Sequence, residues 1–339
     1  MTRISRTIGA IVTACVIAGA GVGAQQQSTQ GKPTPGFVFR TSVDLINVTA
    51  TVTDSQGRFV PGLRQEDFEV YEDGKRQTIS QFDSERVPVS LGLVLDASGS
   101  MAGEKISAAK RAVNRFLEDL LGPQDEVFLY RFDSRVTLLS DWTEDRRAVA
   151  RVVGSVRPAG GTALYDAVAA AVPLGESGTR RKKALVVLSD GNDQNSSTDL
   201  QDVQQQIRES ELLVYAIGID GQESLGSVIP RIILQFPGPG SGRQPSGRPS
   251  PEGRLNVRAL RALTDDSGGR TEIIRAAGDL DAATAGIESE LSRQYFLGYS
   301  TSSARDGRWH TIDVRVKRGN YTIRARKGFI ADSSSSTAQ

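Results

Sequence analysis

Both ends of the chain alternate apolar and polar side chains with a period of two, the pattern of a half-buried strand. The alternation is clearest in residues 43–52 and returns in residues 309–317. The two flanking β segments, residues 37–85 and 295–332, each predict only a few strands, too few for a stable domain alone. We therefore predict that they pair into one small β-sandwich.

Between these segments the pattern changes to apolar strands that alternate with amphipathic helices. Residues 90–95 and 184–188 are apolar runs, and residues 106–121 have helical spacing. Strands that are apolar on both faces are typical of a mainly parallel sheet covered by helices on both sides. The predicted fold is α/β: a doubly wound, Rossmann-like domain over residues 86–294, inserted between the two β segments.

Three further segments have compositions that cannot build a core. Residues 221–254 break the alternation and contain many Gly, Pro and Ser residues, so we predict a disordered surface insertion. Residues 25–36 are predicted to be a flexible leader. Residues 333–339 are predicted to be a disordered tail.

The first 24 residues have the layout of a secretory signal peptide. Arg3 and Arg6 precede an apolar run, and small residues lead to Ala24, after which the chain becomes polar. Cleavage after Ala24 predicts an exported protein, periplasmic or secreted. The alternative is a lipoprotein anchored at Cys15, but the residues after Cys15 stay apolar where a lipoprotein tether is usually polar.

Composition excludes several classes of function. Cys15 is the single cysteine, so a cleaved chain has no disulfide, catalytic thiol or zinc–thiolate site. The net charge of +1 provides no strong field toward nucleic acid or an anionic membrane. No later stretch is apolar for long enough to span a bilayer. These totals leave the oligomeric state open.

Oxygen-bearing side chains follow two of the predicted strands. Asp96 directly follows the apolar run of residues 90–95. Ser98 and Ser100 follow at alternate positions, which lets the three side chains face one point. Asp190 follows residues 184–188. In a sheet of order 3-2-1-4-5-6, these first and fourth strands are neighbours at the switch point where ligands bind.

The facing carboxylates of Asp96 and Asp190 would repel each other unless a cation lay between them. Thr162, in a Gly-Gly-Thr loop before a helix, can bring a hydroxyl to the same edge. Carboxylate and hydroxyl oxygens suit a hard cation, and no soft ligand is present. The sequence therefore predicts a site for Mg²⁺, or for Mn²⁺ or Ca²⁺.

These motifs resemble the metal ion-dependent adhesion site of von Willebrand factor A domains, over roughly residues 86–294. The resemblance implies that the hydroxyls of Ser98, Ser100 and Thr162 contact the metal and that the two aspartates bind it directly or through water. It also implies that an Asp or Glu of a protein partner fills an open coordination position. Residues 60–75 and 295–299 further resemble exported acidobacterial proteins related to this family.

The prediction is thus an exported, metal-dependent protein-binding or adhesion module without catalytic activity. One alternative is a structural envelope scaffold that binds without metal. Another is a Mg²⁺-dependent hydrolase like haloacid dehalogenase phosphatases, but Ser98 stands where that family requires a second Asp. Asp96 and Ser98 could also be only helix N-caps. Asp166, Asn192 and Asp193 are candidates either for supporting the ligands or for solvated loops, and His310 is predicted on a strand surface.

Overall fold

The computed structural model describes residues 44–220, 255–301, 303 and 306–331. The predicted signal peptide, leader, insertion and tail lie outside these residues. The strands are β1 (Leu45–Thr53), β2 (Phe68–Glu72), β3 (Lys75–Gln77), β4 (Ile79–Asp83), β5 (Val89–Asp96), β6 (Glu126–Phe132), β7 (Val136–Thr143), β8 (Lys182–Ser189), β9 (Leu213–Ile219), β10 (Thr271–Ile274), β11 (Tyr295–Ser300), β12 (Trp309–Val316), β13 (Thr322–Arg324) and β14 (Gly328–Ile330).

The α-helices lie mostly between the strands of the central region. They are α1 (Glu104–Arg115), α2 (Arg146–Ser155), α3 (Leu164–Glu176), α4 (Leu200–Glu209), α5 (Val257–Thr264) and α6 (Ala277–Arg293). Short 3₁₀ turns occupy Gln65–Asp67 and Gly99–Met101, and a π-helical turn, Phe116–Leu120, continues α1. Each helix among the described residues is too short or too polar to span a bilayer.

A six-stranded sheet forms the centre of the α/β domain. Its order is β10-β9-β8-β5-β6-β7, and all neighbours are parallel except β7, which runs antiparallel to β6. Numbered within the domain, this is the predicted order with the first and fourth strands, β5 and β8, side by side. Every residue of β5 is buried, as expected for a strand with helices on both faces.

Helices pack on both faces of this sheet, which confirms the doubly wound α/β fold. One face is covered by α1, α2 and α6 through apolar residues such as Val113, Val149 and Ile287. The other is covered by α3, α4 and α5 through residues such as Val168 and Leu260. The apolar stripe of each helix is therefore buried against the sheet, where most of a helix's stability originates.

The two flanking β segments pair with each other, as the sequence predicted. One antiparallel sheet has the order β13-β1-β11-β4, and the other has the order β14-β12-β2-β3. Each sheet mixes strands from before and after the α/β domain: Val48 of β1 faces Leu297 of β11, and Val70 of β2 faces Val314 of β12. Inward-facing residues of both sheets form one apolar core, so neither segment has to be stable alone.

Helix α3 contains a proline, Pro173, near its carboxyl end. Proline lacks an amide hydrogen and clashes with the preceding turn, which disfavours it inside a helix. The helix nevertheless continues to Glu176. Its last turn is held from outside: the indole nitrogen of Trp142 donates to the carbonyl of Leu174 at 3.2 Å. Tertiary contacts therefore outweigh the lost hydrogen bond.

A buried polar cluster joins the α/β domain to the sandwich. The carboxylate of Glu290 in α6 accepts hydrogen bonds from Thr51 Oγ1 (3.1 Å) and Tyr215 OH (3.0 Å). It also pairs with Arg324 (2.6 Å) and Arg270 (3.2 Å). Burial and the Glu290 charge raise the pKa of Tyr215, which keeps this hydroxyl protonated as a donor. One carboxylate thus links β1, β9, α6 and β13.

His310 does not lie on the strand surface, where the sequence placed it. Its exposed fraction is 9%, and its ring stacks on Phe329 at 5.4 Å between centroids. Nδ1 lies 2.7 Å from Asp73 Oδ2, and Nε2 lies 3.3 Å from Asp306 Oδ1. The hydrogen bond with Asp73 contributes most to raising the pKa of His310 above its ordinary 6.5.

We expect the sandwich to lose stability at alkaline pH through His310. Because the folded state raises the pKa of this imidazole, its contribution is complete below pH 6.5 and is lost as the pH rises through the folded-state pKa. Thermal melting from pH 6 to pH 9 measures this loss. His310→Gln should flatten the profile over this interval, and equal pH dependence in both proteins would contradict the assignment.

Candidate metal centre

Asp96 ends the central strand β5, and its side chain is fully buried. Its Oδ1 accepts the amide hydrogen of Ser98 at 2.9 Å, and the hydroxyls of Ser98 and Ser100 lie 3.0 Å apart. Neither Asp96 nor Ser98 serves as the N-cap of α1, which is Gly103. The motif therefore brings oxygens of Asp96, Ser98 and Ser100 together at the end of β5, and Ser98 precedes the 3₁₀ turn Gly99–Met101 but does not cap α1.

Asp190 follows the neighbouring strand β8 and is also fully buried. Ser189 ties the Asp96 carboxylate to the loop that follows β8: its hydroxyl donates to Asp96 Oδ2 at 2.5 Å and accepts the amide hydrogen of Gly191 at 2.9 Å. Burial, with a contribution from the Asp190 charge, raises the pKa of Asp96 to about 6 despite the opposing hydrogen bonds from Ser189 and Ser98. This edge thus concentrates negative charge that a cation would relieve.

The loop that carries Thr162 packs directly on the Asp96 loop. The amide of Gly99 donates to the carbonyl of Gly160 at 2.9 Å, and the amide of Ala159 donates to the carbonyl of Ala97 at 2.8 Å. Gly160 has a φ of +74°, a conformation that favours glycine. Thr162 itself is buried, with 2% exposed. The five predicted ligand residues therefore come from three loops in contact at the carboxyl edge of the sheet.

The loop after β8 also holds Thr162 in place. The side chain of Asn195 accepts the amide hydrogen of Thr162 at 3.1 Å, and the amides of Gln194 and Asn195 both donate to the Thr162 carbonyl at 2.9 Å. A methyl group on Gly161 would overlap the Asn195 side chain, 1.8 Å away. The sequence reading missed Asn195, since its role depends on the packing of two distant loops.

Asp166 and Asp193, for which the sequence allowed either a supporting role or a solvated loop, both accept hydrogen bonds from neighbouring loops. Asp193 Oδ1 accepts the amide hydrogens of Leu164 (2.8 Å) and Tyr165 (3.3 Å) at the start of α3. Asp166 accepts those of Ser197 (3.0 Å) and Thr198 (2.8 Å). Burial pushes the pKa of Asp166 upward, but these hydrogen bonds outweigh it and lower the pKa. Both carboxylates therefore tie the start of α3, which follows Thr162, to the segment after β8. Asn192 contacts Asp190 Oδ1 at 3.3 Å through both its backbone and its side-chain nitrogen.

A cation from α1 reaches the same site and was not anticipated. Lys105 Nζ lies 2.8 Å from Asp190 Oδ2, and the lysine side chain is only 8% exposed. Lys105 is the second residue of α1, where the positive end of the helix dipole disfavours a cation. A lysine in the first turn of a predicted helix is therefore a signal in the sequence that a carboxylate of the same chain lies nearby.

The donor set fits a hard divalent cation. It combines two buried carboxylates with three hydroxyls, and hard cations such as Mg²⁺ prefer oxygen ligands. In the part of the chain that the structure describes, no group of three or more His, Cys, Asp or Glu side chains could hold a metal. A cation at this edge would consequently depend on the hydroxyls of Ser98, Ser100 and Thr162 as well as on the aspartates.

Comparison with known proteins identifies the family of the central region. Residues 91–192, which run from β5 to just beyond Asp190, match the family described as von Willebrand factor type A domain. The chain contains a von Willebrand factor type A domain. This family consists of protein-interaction and adhesion modules.

Relatives of this domain occur in much larger proteins. Inter-alpha-trypsin inhibitor heavy chain H4 of Bos taurus is 28% identical over 151 residues, which are 41% of this chain and 16% of that protein. An uncharacterised protein of Synechocystis sp. is 28% identical over 117 residues, 34% of this chain and 28% of that protein. This chain therefore spans only a minor part of the length of these relatives.

Among solved structures, a von Willebrand factor type A protein from Catenulispora acidiphila is similar to this chain. It has 14% sequence identity and a TM-score of 0.48, and the match covers 87% of this chain and 76% of that one.

Proposed function

We propose that this protein is an exported binding module that captures a protein partner through a divalent metal ion. Asp96, Ser98, Ser100, Thr162 and Asp190 would hold the ion, and an Asp or Glu of the partner would complete its coordination. The observation that carries the proposal is the convergence of two buried carboxylates and three hydroxyl-bearing residues on three loops in mutual contact. Mg²⁺ is the proposed ion, with Mn²⁺ or Ca²⁺ as substitutes.

The residues support binding more than catalysis. Hydrogen bonds from Ser98 and Ser189 fix both oxygens of Asp96, and Ser98 stands where a haloacid dehalogenase phosphatase requires a second Asp. We assign no catalytic residue. The signal-like first 24 residues motivate the proposal of export to the periplasm or the exterior.

A pull-down from envelope extracts tests the proposal. We expect the wild-type protein to capture a partner in Mg²⁺ and to lose it in chelator, because a metal-mediated contact cannot form without the ion. Asp96→Ala and Thr162→Ala should lose the same partner in Mg²⁺. Asp119→Ala is the matched control, since Asp119 is exposed in the π-helical turn after α1.

Thermal melting of the purified protein provides an independent readout. A ligand that binds only the folded state raises the melting temperature as its concentration exceeds Kd, so Mg²⁺ should stabilise the wild type and the Asp119→Ala variant but not Asp96→Ala. A partner retained equally with chelator and with both site variants would favour the structural scaffold instead.

A further inference from the structure

Lys105 places a fixed positive charge inside the proposed metal site. Its ammonium pairs with Asp190 at 2.8 Å. Asp190 and Asp96 are both fully buried. Ser189, the residue before Asp190, donates a hydrogen bond to Asp96 at 2.5 Å. A bound cation would consequently share these carboxylates with an ammonium that the protein itself supplies.

The location of Lys105 makes a purely structural role costly. A charged group loses its hydration when it is buried, and replacing a buried ion pair by apolar residues is often neutral or stabilising. The first turn of α1 adds an unfavourable interaction with the helix dipole. The neighbouring residue Ile106 shows that this turn can bury an aliphatic side chain.

We propose that Lys105 sets the charge of the site so that a bound divalent cation needs an acidic partner group; this inference rests on the function proposed above. Two carboxylates and one ammonium leave one excess negative charge. A divalent cation converts this to one excess positive charge, and one partner carboxylate then makes the site neutral. Without Lys105 the loaded site would already be neutral, and a partner carboxylate would add an uncompensated negative charge.

Two consequences follow for metal and partner. The ammonium repels the metal, so Lys105 weakens binding of the metal alone. It also leaves the loaded site with an excess positive charge, so a carboxylate binds the loaded wild-type site more tightly than a loaded site without the ammonium. Lys105 is thus a residue that determines partner specificity by its charge, without itself coordinating the ion.

Manganese binding tests the first consequence. Mn²⁺ alone is titrated into the full chain, and the free ion is measured by electron paramagnetic resonance. Lys105→Met should bind Mn²⁺ about tenfold more tightly than the wild type, or better, because a nearby positive charge is removed. Arg111→Met is the matched control: Arg111 is exposed further along α1, so its loss should leave the affinity nearly unchanged.

Acetate, a simple carboxylate probe, tests the second consequence. At saturating Mn²⁺, displacement of metal-bound water by acetate lowers the water-proton relaxation rate. Acetate should displace water at a lower concentration in the wild type than in Lys105→Met. Lys105→Gln keeps a hydrogen-bond donor for Asp190 without the charge, so it repeats both measurements if the methionine variant does not fold.

The outcomes separate this inference from the proposed function. If the wild type binds Mn²⁺ and neither neutral variant binds it more tightly, the role of Lys105 is refuted while metal binding stands. If only the neutral variants bind Mn²⁺, the ammonium opposes the metal as inferred, and metal-dependent function of the natural protein fails. If no protein binds Mn²⁺, both ideas fail.

Discussion

Glu290→Ala is expected to lower the free energy of unfolding by about 2–4 kcal/mol, because truncation removes the buried anion that Arg270 and Arg324 share. Arg270 keeps its second pair, with Glu272 at 2.9 Å. The Glu290 side chain is only 5% exposed. The side chains of Arg270 and Arg324 are 32% and 26% exposed. Solvent therefore offsets part of the lost stability, and the expected loss is smaller than for a fully buried ion pair. Thr51 and Tyr215 lose an acceptor in the same step.

Chemical denaturation of the full chain measures this effect. Asp281→Ala is the control on the same helix: Asp281 pairs with Arg115 at 2.8 Å but is 63% exposed, so its loss should cost less than about 1 kcal/mol. Glu290→Gln retains an acceptor for Thr51 and Tyr215, so its loss in free energy of unfolding should lie between those of Glu290→Ala and Asp281→Ala. Equal losses in Glu290→Ala and Asp281→Ala would show that the cluster does not stabilise the junction of domain and sandwich.

The central sheet could be predicted because its signal is local. The strands β5 and β8 contain the apolar runs of residues 91–95 and 184–188, and a parallel sheet with helices on both faces buries such runs. The order of the sheet then followed from the general rule for doubly wound folds. The two flanking segments could be paired because each was too small to form a core.

Strand β14 could not be predicted, since it contains too few positions to show a period. β14 has three residues, and its pairing with β12 places Phe329 opposite His310. The partner strand, not local propensity, therefore determines that β14 is extended. The same neighbour explains why alternation alone misplaced His310: the strand surface it should occupy is covered by Phe329 and by the Asp73 and Asp306 carboxylates.

At the candidate site, the predictable residues are those whose signal lies in one strand end. Asp96, Ser98 and Ser100 follow β5 directly, and Asp190 follows the adjacent β8. Supporting contacts were not predictable in the same way. Asn195 reaches Thr162 across 33 residues, and Lys105 reaches Asp190 across 85. Only the tertiary packing of the loops and α1 brings these pairs together.

Asp190→Ala is expected to destabilise the metal-free protein by about 3–5 kcal/mol, the cost of breaking a buried ion pair by removing one of its members. Lys105 and Asp190 are 8% and 0% exposed at their side chains, so solvent can screen little of this loss. Denaturation in chelator measures it without any contribution from a bound ion.

A double-mutant cycle with Lys105→Met assigns the effect to the ion pair. If breaking the ion pair causes the loss, Asp190→Ala combined with Lys105→Met should be more stable than Asp190→Ala alone, because the double variant no longer buries the ammonium. If the two losses instead add, the destabilisation comes from other Asp190 contacts, such as those with Asn192. Lys105 would then contribute little to the stability of the metal-free protein, and its charge would affect only the cation-bound state.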